Sequence, residues 1–315
     1  EVNGVAVYEP SGVRPLNVTD TDNRLIASAV RTAVELVLGP LITTYQKGFI
    51  GGRSMASNVI DVDEAMTHAS LEQERAVAIF YDFAAAFPSI EHACLFTYFA
   101  PLGWPFWLCY IIQILYASNF CDVAFGGSLF PGYAITRGIR QGCPLSPLLF
   151  AAASELILRR LRRLVPRTVN RSWADDLAMV LLNGLAPVPI SFGIFFEFPM
   201  ISGIFINIAK TVLVPLYPYA LLQLRADIQR LAPAWGAIGI SGFTKYLGFM
   251  LGPEKKLESY TKPLAKYKER AALWARQGLG LHLSLRAYSV FIASVLGFVT
   301  QLEPPPGKLF EEAEL

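Results

Sequence analysis

The stretch AVAIFYDF, residues 76–83, decides how the chain is read. Val, Ile and aromatic side chains follow one another without polar alternation, the pattern of a strand covered on both faces. Asp82 stands at the end of that run. A second stretch, SWADDLAMV at 172–180, predicts strand, tight turn and strand over 172–182, with Ala174, Asp175 and Asp176 at the turn. Burying carboxylates at strand ends is costly unless cations compensate them. Two strands that bring acids to one place make a site for hard divalent cations, and Mg²⁺ prefers oxygen ligands. Two such ions would clamp the attacking and leaving oxygens of a phosphoryl displacement. On these residues alone a second account stands beside it, in which Asp82 caps a turn and the ADD triplet is an ordinary hairpin tip.

Outward from these stretches, 22–38 and 55–71 have the helical period, and Pro88 with Ser89 is expected to open a helix. Over 148–164 an apolar stripe at Phe150, Ser154, Ile157, Leu161 and Leu164 again marks a helix. Strands mixed with helices give an α+β fold. The length, 315 residues, suggests two domains or one large unit with an appendage, at about 150 residues per domain. With 53% hydrophobic and 17% charged residues, a disordered chain is excluded. Four cysteines (Cys94, Cys109, Cys121, Cys143) form no C-x-x-C pair, which argues against a zinc knuckle or disulfide-stapled secreted module and for a reducing compartment. The N-terminal residues EVNGVAVYEPSG are no signal peptide, and the chain is expected to begin within a longer protein.

Two runs, 93–121 and 177–196, lack Asp, Glu, Lys and Arg. Their length raises a multi-pass membrane protein as an alternative. Their Pro, Gly, Asn and Gln content, and the lack of one-sided basic flanks, point instead to buried core segments. The net charge of +2 conceals an asymmetry: residues 1–150 hold 8 Lys/Arg and 13 Asp/Glu, residues 151–315 hold 19 and 12. A protein that grips a polyanion with its C-terminal half shows such a distribution, as does a solvated helix face.

The two acidic stretches belong to an ordered series: RPLNVTDTDNRLIASAV at 14–30, QKGFIGGRS at 46–54, YDFAAAFPSIEH at 81–92, RGIRQGCPLSPLLF at 137–150, SWADDLAMV at 172–180, SGIFINIAKT at 202–211 and TKYLGFMLG at 244–252. This series resembles the reverse transcriptase domain of non-LTR retrotransposons and, more distantly, of group II introns, over about residues 14–300. The resemblance implies a right-hand polymerase, with fingers and palm over 1–258 and a partial thumb or connection over 259–315. It implies RNA-directed DNA polymerisation: addition of deoxynucleoside triphosphates to a DNA primer 3′-hydroxyl on an RNA template, by two Mg²⁺ ions with Mn²⁺ as an alternative. A catalytically inactive remnant that retains nucleic-acid binding is the other outcome the family allows.

Position by position, the resemblance makes Asp82 and Asp175 the main metal ligands, Asp176 the auxiliary carboxylate and the Phe83 carbonyl a further ligand. Phe87 takes the place of the aromatic gate that excludes a 2′-hydroxyl by clash. Gln141 and Gly142 match the loop under the nascent pair, and Arg14 matches a fingers arginine that meets the triphosphate. Lys210 matches a lysine that protonates departing pyrophosphate. Lys245, Tyr246, Leu247 and Gly248 resemble the hairpin that steadies the primer end. Lys262, Lys266 and Arg270 then fall at i, i+4 and i+8 opposite an apolar stripe of Leu264, Tyr267, Ala271 and Trp274, the pattern of a thumb helix on a sugar-phosphate backbone. Trp173, where the family more often has Tyr or Phe, and the apolar 185–206 region depart from the pattern. The implied location is intracellular, nucleus or cytoplasm, without a membrane; oligomeric state is left open.

Overall fold

In the computed structural model, which describes residues 19–72, 75–182, 184–305 and 307, the chain runs α1 (Thr21–Leu38), α2 (Met55–Glu72), β1 (Val77–Tyr81), β2 (Phe83–Ala84), α3 (Ala86–Ser89), α4 (His92–Tyr98), α5 (Phe106–Tyr116), β3 (Phe120–Phe125) and β4 (Ser128–Ala134). It continues through α6 (Ser146–Leu164), β5 (Thr168–Trp173), β6 (Asp176–Leu181), α7 (Val188–Ser202), β7 (Phe205–Ile206), β8 (Val212–Pro215), α8 (Leu221–Leu231) and β9 (Gly239–Ile240). The hairpin β10 (Thr244–Tyr246) and β11 (Phe249–Leu251) leads into α9 (Glu258–Ala275), α10 (Leu281–Ala287) and α11 (Ser294–Gly297), with a π-helical turn over Tyr288–Ala293.

The central sheet has the order β5-β6-β1-β8-β9, with β1 antiparallel to both β6 and β8. All five residues of β1 are buried. Successive side chains alternate between two cores, as a strand's period of two requires. Val77, Ile79 and Tyr81 join the large core with α6 and α7, through residues such as Phe150 and Phe195. Ala78 and Phe80 face Val59, Val62 and Met66 of α2 and Tyr246, Phe249 and Leu251 of the β10–β11 hairpin. A strand so covered needs apolar residues at every position, which explains the unbroken run.

The two uncharged runs resolve differently. α7 buries Val188, Phe192, Ile194, Phe195 and Phe198, as expected of a core segment. The first run is buried only in part. α5 buries Leu108, Ile112 and Tyr116 but exposes Phe106, Trp107, Tyr110 and Ile114, and the following β3–β4 hairpin is almost entirely exposed. No helix among the described residues is long and apolar enough to cross a membrane. Pro88 and Ser89 close the one-turn α3 instead of opening a long helix, and the next helix begins at His92.

α2 is fastened to the sheet by Asp61, whose Oδ2 accepts from Lys47 Nζ and from Arg171 Nε, each at 2.6 Å. Burial alone would raise this carboxyl, but the hydrogen bonds and charges of Lys47 and Arg171 outweigh it and hold it below the usual carboxylate range. Its contribution to stability is complete above the unfolded value of about 3.9. It disappears as pH falls through the lower folded-state value. Asp61→Asn should therefore cost about 1–3 kcal/mol in urea denaturation at pH 7. The difference from the wild type should shrink as acid protonates the wild-type carboxyl.

Candidate active site

The register of β1 and β6 ends on the pair Tyr81–Leu177, and Asp82 and Asp176 are the next residues outward along the two segments. On the other side of β6, Trp173 pairs with Asp176, which leaves Ala174 and Asp175 as a two-residue turn. Ala174 has a φ of 56°, the positive value that two-residue hairpin turns demand. All three acids thus lie at one end of the sheet. Asp82 sits where the chain leaves it: Asn207 N–H donates to the Asp82 carbonyl at 2.7 Å, and Asp82 N–H reaches Thr211 Oγ1 at 3.4 Å. Phe83, next along, pairs with Ile206.

The carboxylates feel one another. Desolvation raises the Asp82 carboxyl, Lys210 opposes that rise, and Asp175 adds to it. Desolvation likewise pushes Asp176 up to about 6, reinforced by the charges of Asp175 and Asp82 and opposed by Lys245. Three acids at close range with only two lysines beside them are under-neutralised. Among the described residues, no group of three or more His, Cys, Asp or Glu is placed to hold a metal ion. Carboxylate oxygens are nevertheless the donor chemistry that Mg²⁺ takes, usually one or two carboxylates together with water and substrate phosphate and not an all-protein cage.

Phe87 is half-buried. Its ring stacks on Phe150 at 4.7 Å with an interplanar angle of 8°, and Phe49 meets it edge-on at 6.1 Å. The 137–142 loop is zipped to the segment that carries it. Gly138 N–H donates to Ile90 O at 2.6 Å and Ile139 N–H to Phe87 O at 2.9 Å. Gln141 and Gly142 therefore lie in the same loop that borders Phe87, with Gly142 exposed at φ 92°. Arg140 is buried and turned away, donating to Asn23 Oδ1 and Leu115 O.

The β10–β11 hairpin divides its four residues. Lys245 is exposed and close enough to Asp176 to affect it. Tyr246 is buried against Phe80 at 5.3 Å, its hydroxyl accepting from Asn58 Nδ2 and donating to Arg171 O. Leu247 packs on the same core. Tyr246 thus holds the hairpin down, and the surface left open is that of Lys245 and Gly248. These two share one groove with Met250, Lys262, Lys266 and Arg270. Arg270 commits its Nη1 to the Phe291 carbonyl at 2.7 Å, within the π-helical turn, so Lys262 and Lys266 are the freer cations of α9 in this groove. The apolar back of α9 is as expected: Tyr267 is buried with Ala271 and Trp274 packed against its cluster, and Leu264 packs against Tyr260 and Val299. Arg14 lies outside the described residues.

A family model described as reverse transcriptase (RNA-dependent DNA polymerase) matches residues 5–251. The chain belongs to the reverse transcriptase family. Among its relatives is the Transposon TX1 uncharacterized 149 kDa protein of Xenopus laevis, 31% identical over 177 residues, 53% of this chain and 14% of that protein. The Pol polyprotein of the type-2 retrotransposable element R2DM of Drosophila melanogaster is 24% identical over 181 residues, 56% of this chain and 17% of the polyprotein. The chain thus spans under a fifth of the length of either relative, and the likeness to non-LTR retrotransposon proteins anticipated from its motifs holds. In fold it is similar to telomerase from Candida tropicalis, solved with a fragment of telomeric RNA, at a TM-score of 0.53 and 12% identity, covering 90% of this chain and 49% of that one. The right-hand polymerase fold is therefore established.

Within this reverse transcriptase fold, the motif reading passed over Asn207 and Thr211. They flank Lys210 in the INIAKT segment, and their backbone and hydroxyl groups fix the main chain of Asp82. A buried threonine and a half-buried asparagine in an apolar stretch were the available signal. Gly138 explains another motif position: at φ 87° a Cβ would stand 2.7 Å from Pro88 O. Gly127 has a similar φ of 80° in open space. Gly138→Ala should consequently destabilise the fold by more than the roughly 1–2 kcal/mol that left-handed strain costs alone. Gly127→Ala should cost only that strain, and chemical denaturation of the two variants compares them directly.

Proposed function

We propose that this chain is the polymerase part of a retrotransposon polyprotein and adds deoxynucleotides to a DNA primer 3′-hydroxyl on an RNA template. The observation that carries the reading is that Asp82, which follows the last β1–β6 pair, Tyr81–Leu177, feels the charges of Asp175 and Lys210, while Asp176 feels those of Asp82, Asp175 and Lys245. Residues 1–258 serve as fingers and palm and 259–315 as partial thumb.

In this reading Asp82, Asp175 and the Phe83 carbonyl hold two Mg²⁺ ions, or Mn²⁺, with Asp176 as the auxiliary carboxylate. When bound, such ions activate the attacking hydroxyl and neutralise charge on the reacting phosphate. The rest of the work falls to the protein's own side chains. Phe87, fixed between Phe150 and Phe49, presents a rigid edge that leaves no room for a ribose 2′-hydroxyl. Gln141 and Gly142 lie under the nascent pair, where Gly142 lets backbone approach closely. Lys210 gives a proton to departing pyrophosphate, and Arg14 meets the triphosphate as a bidentate guanidinium. The groove of Lys245, Gly248, Lys262, Lys266 and Arg270 receives the primer strand by its phosphates, without reading bases. Alignment of the hydroxyl and the nucleotide in this frame supplies much of the rate. The four unpaired cysteines fit work in the nucleus or cytoplasm.

Primer extension on an RNA template with Mg²⁺ tests the reading. Asp175→Ala should reduce incorporation about a hundredfold or more. A well-folded wild-type chain that incorporates nothing would instead support an inactive remnant. Phe87→Val should lower discrimination against ribonucleotides by about tenfold or more, read from competing incorporation; unchanged discrimination removes Phe87 as the gate. Replacing Lys262 and Lys266 by Ala should weaken primer–template binding irrespective of sequence. The slope of log affinity against log salt should flatten by about one for each lysine.

A further inference from the structure

Apart from Phe49, which braces Phe87, the motif QKGFIGGRS at 46–54 has no task in the reaction above, yet Gln46 and Gly48 lie against the turn that carries Asp175 and Asp176. Gln46 is completely buried. Its Oε1 accepts from the N–H of Ala174 at 3.0 Å and of Gly48 at 2.8 Å. The two hydrogens of its Nε2 serve three acceptors, Ser154 Oγ at 2.9 Å, Ser172 Oγ at 3.1 Å and Ala174 O at 3.2 Å, so one of them is shared. One side-chain amide therefore holds both the N–H and the carbonyl of Ala174, the residue with positive φ just before Asp175. An alanine keeps that conformation only when its surroundings over-determine it.

The rest of the motif holds Gln46 in place. Lys47 N–H donates to Ser172 O at 2.8 Å, and Ser172 N–H to Tyr45 O at 2.7 Å, lacing the segment alongside β5. Gly48 lies so close that a Cβ would stand 2.3 Å from Ala174 N. Arg53 donates to four carbonyls of the preceding loop: Gly39 at 3.0 Å, Ile42 at 2.7 Å, Thr43 at 2.6 Å, and Gln46 itself. The loop becomes a strap, rigid at one end and closed on the turn at the other.

We propose that Gln46 is a positioning residue for the reaction: through the peptide groups of Ala174 it sets where Asp175 and Asp176 stand, with Gly48 and Arg53 keeping it in register. The consequence for catalysis rests on the reading of those two acids as metal-holding carboxylates. The fastening of the turn does not.

Two variants of the full chain test this. Gln46→Met keeps length and volume and removes every hydrogen bond of the side chain, leaving those of the Gln46 backbone to Thr43 and Arg53. Gly48→Ala keeps the amide and pushes strap and turn apart. Amide hydrogen exchange, measured without metal, should show protection lost at Ala174 and Gly48 in Gln46→Met, with β1 and α6 unchanged. Primer extension should show kcat down about a hundredfold, the cost of misplacing reacting groups by about an ångström, with the nucleotide KM and primer–template Kd essentially unaltered. A generally loosened core would instead move all three constants and the exchange of β1. Unchanged protection at Ala174, or an unchanged kcat in a chain whose wild type is active, overturns the proposal. If the wild type does not polymerise, the reading of the site fails and the exchange result still decides the role of Gln46. If Gln46→Met does not fold, Gly48→Ala decides: loosening confined to the turn supports the strap, and an unaltered turn overturns it.

Discussion

The pairing of β1 with β6 is the constraint on which the rest of the molecule depends. Side-chain direction alternates along a strand, so a slip of one residue would turn every β1 side chain to the opposite face. Here the two faces are not interchangeable. One must fill the space beneath α6 and α7 with Ile79 and Tyr81, and the other must fit α2 and the β10–β11 hairpin with Ala78 and Phe80. That inequality fixes the register, and the register leaves Asp82 and Asp176 just beyond the last pair, Tyr81–Leu177, at one end of the sheet. Hydrophobic packing, which is indifferent to chemistry, thereby decides where the chemistry can occur.

The acids themselves oppose this arrangement. Desolvation and mutual repulsion raise both Asp82 and Asp176, and Lys210 and Lys245 offset only part of it. Asp82 is half-buried and Asp175 and Asp176 are exposed, and holding such like charges together requires a surrounding structure stiff enough to keep them there. The stiffness is visible on both sides of the cluster. Asn207 and Thr211 pin the main chain of Asp82, and Gln46 pins the turn before Asp175.

Much of this was legible in the sequence. The unbroken apolar run of β1, the turn at Ala174 and Asp175, the stripe of α6 as far as Leu161 and the two-faced α9 follow from periodicity and turn chemistry, and the ordered motifs gave the family. Asp176 belongs to β6, and Leu164 is exposed. What escaped was whatever depends on the identity of the covering element. Gln46 and Tyr246 carry polar atoms that a linear reading assigns to the surface, but each is buried because partners distant in sequence satisfy it: Ser154, Ser172 and Ala174 for the one, Asn58 and Arg171 for the other. Conversely, the uncharged 93–121 run reads as core, although nothing among the described residues covers the outer face of α5 or the β3–β4 hairpin. Arg270 reads as a free phosphate ligand, but a π-helical turn leaves the Phe291 carbonyl for it to satisfy. Apolar pattern reports that a face is to be buried, not by what.

The central claim is that acids from two separate strands form one cation site. Mn²⁺ binding to the wild-type chain, to Asp82→Asn, to Asp175→Asn and to the double variant, followed by electron paramagnetic resonance, tests it most directly. The account predicts that either single substitution removes most of the binding and that the second adds little to the first. Losses that simply add, each variant forfeiting its own independent ion, would show that the two strands do not share a site and would contradict the account.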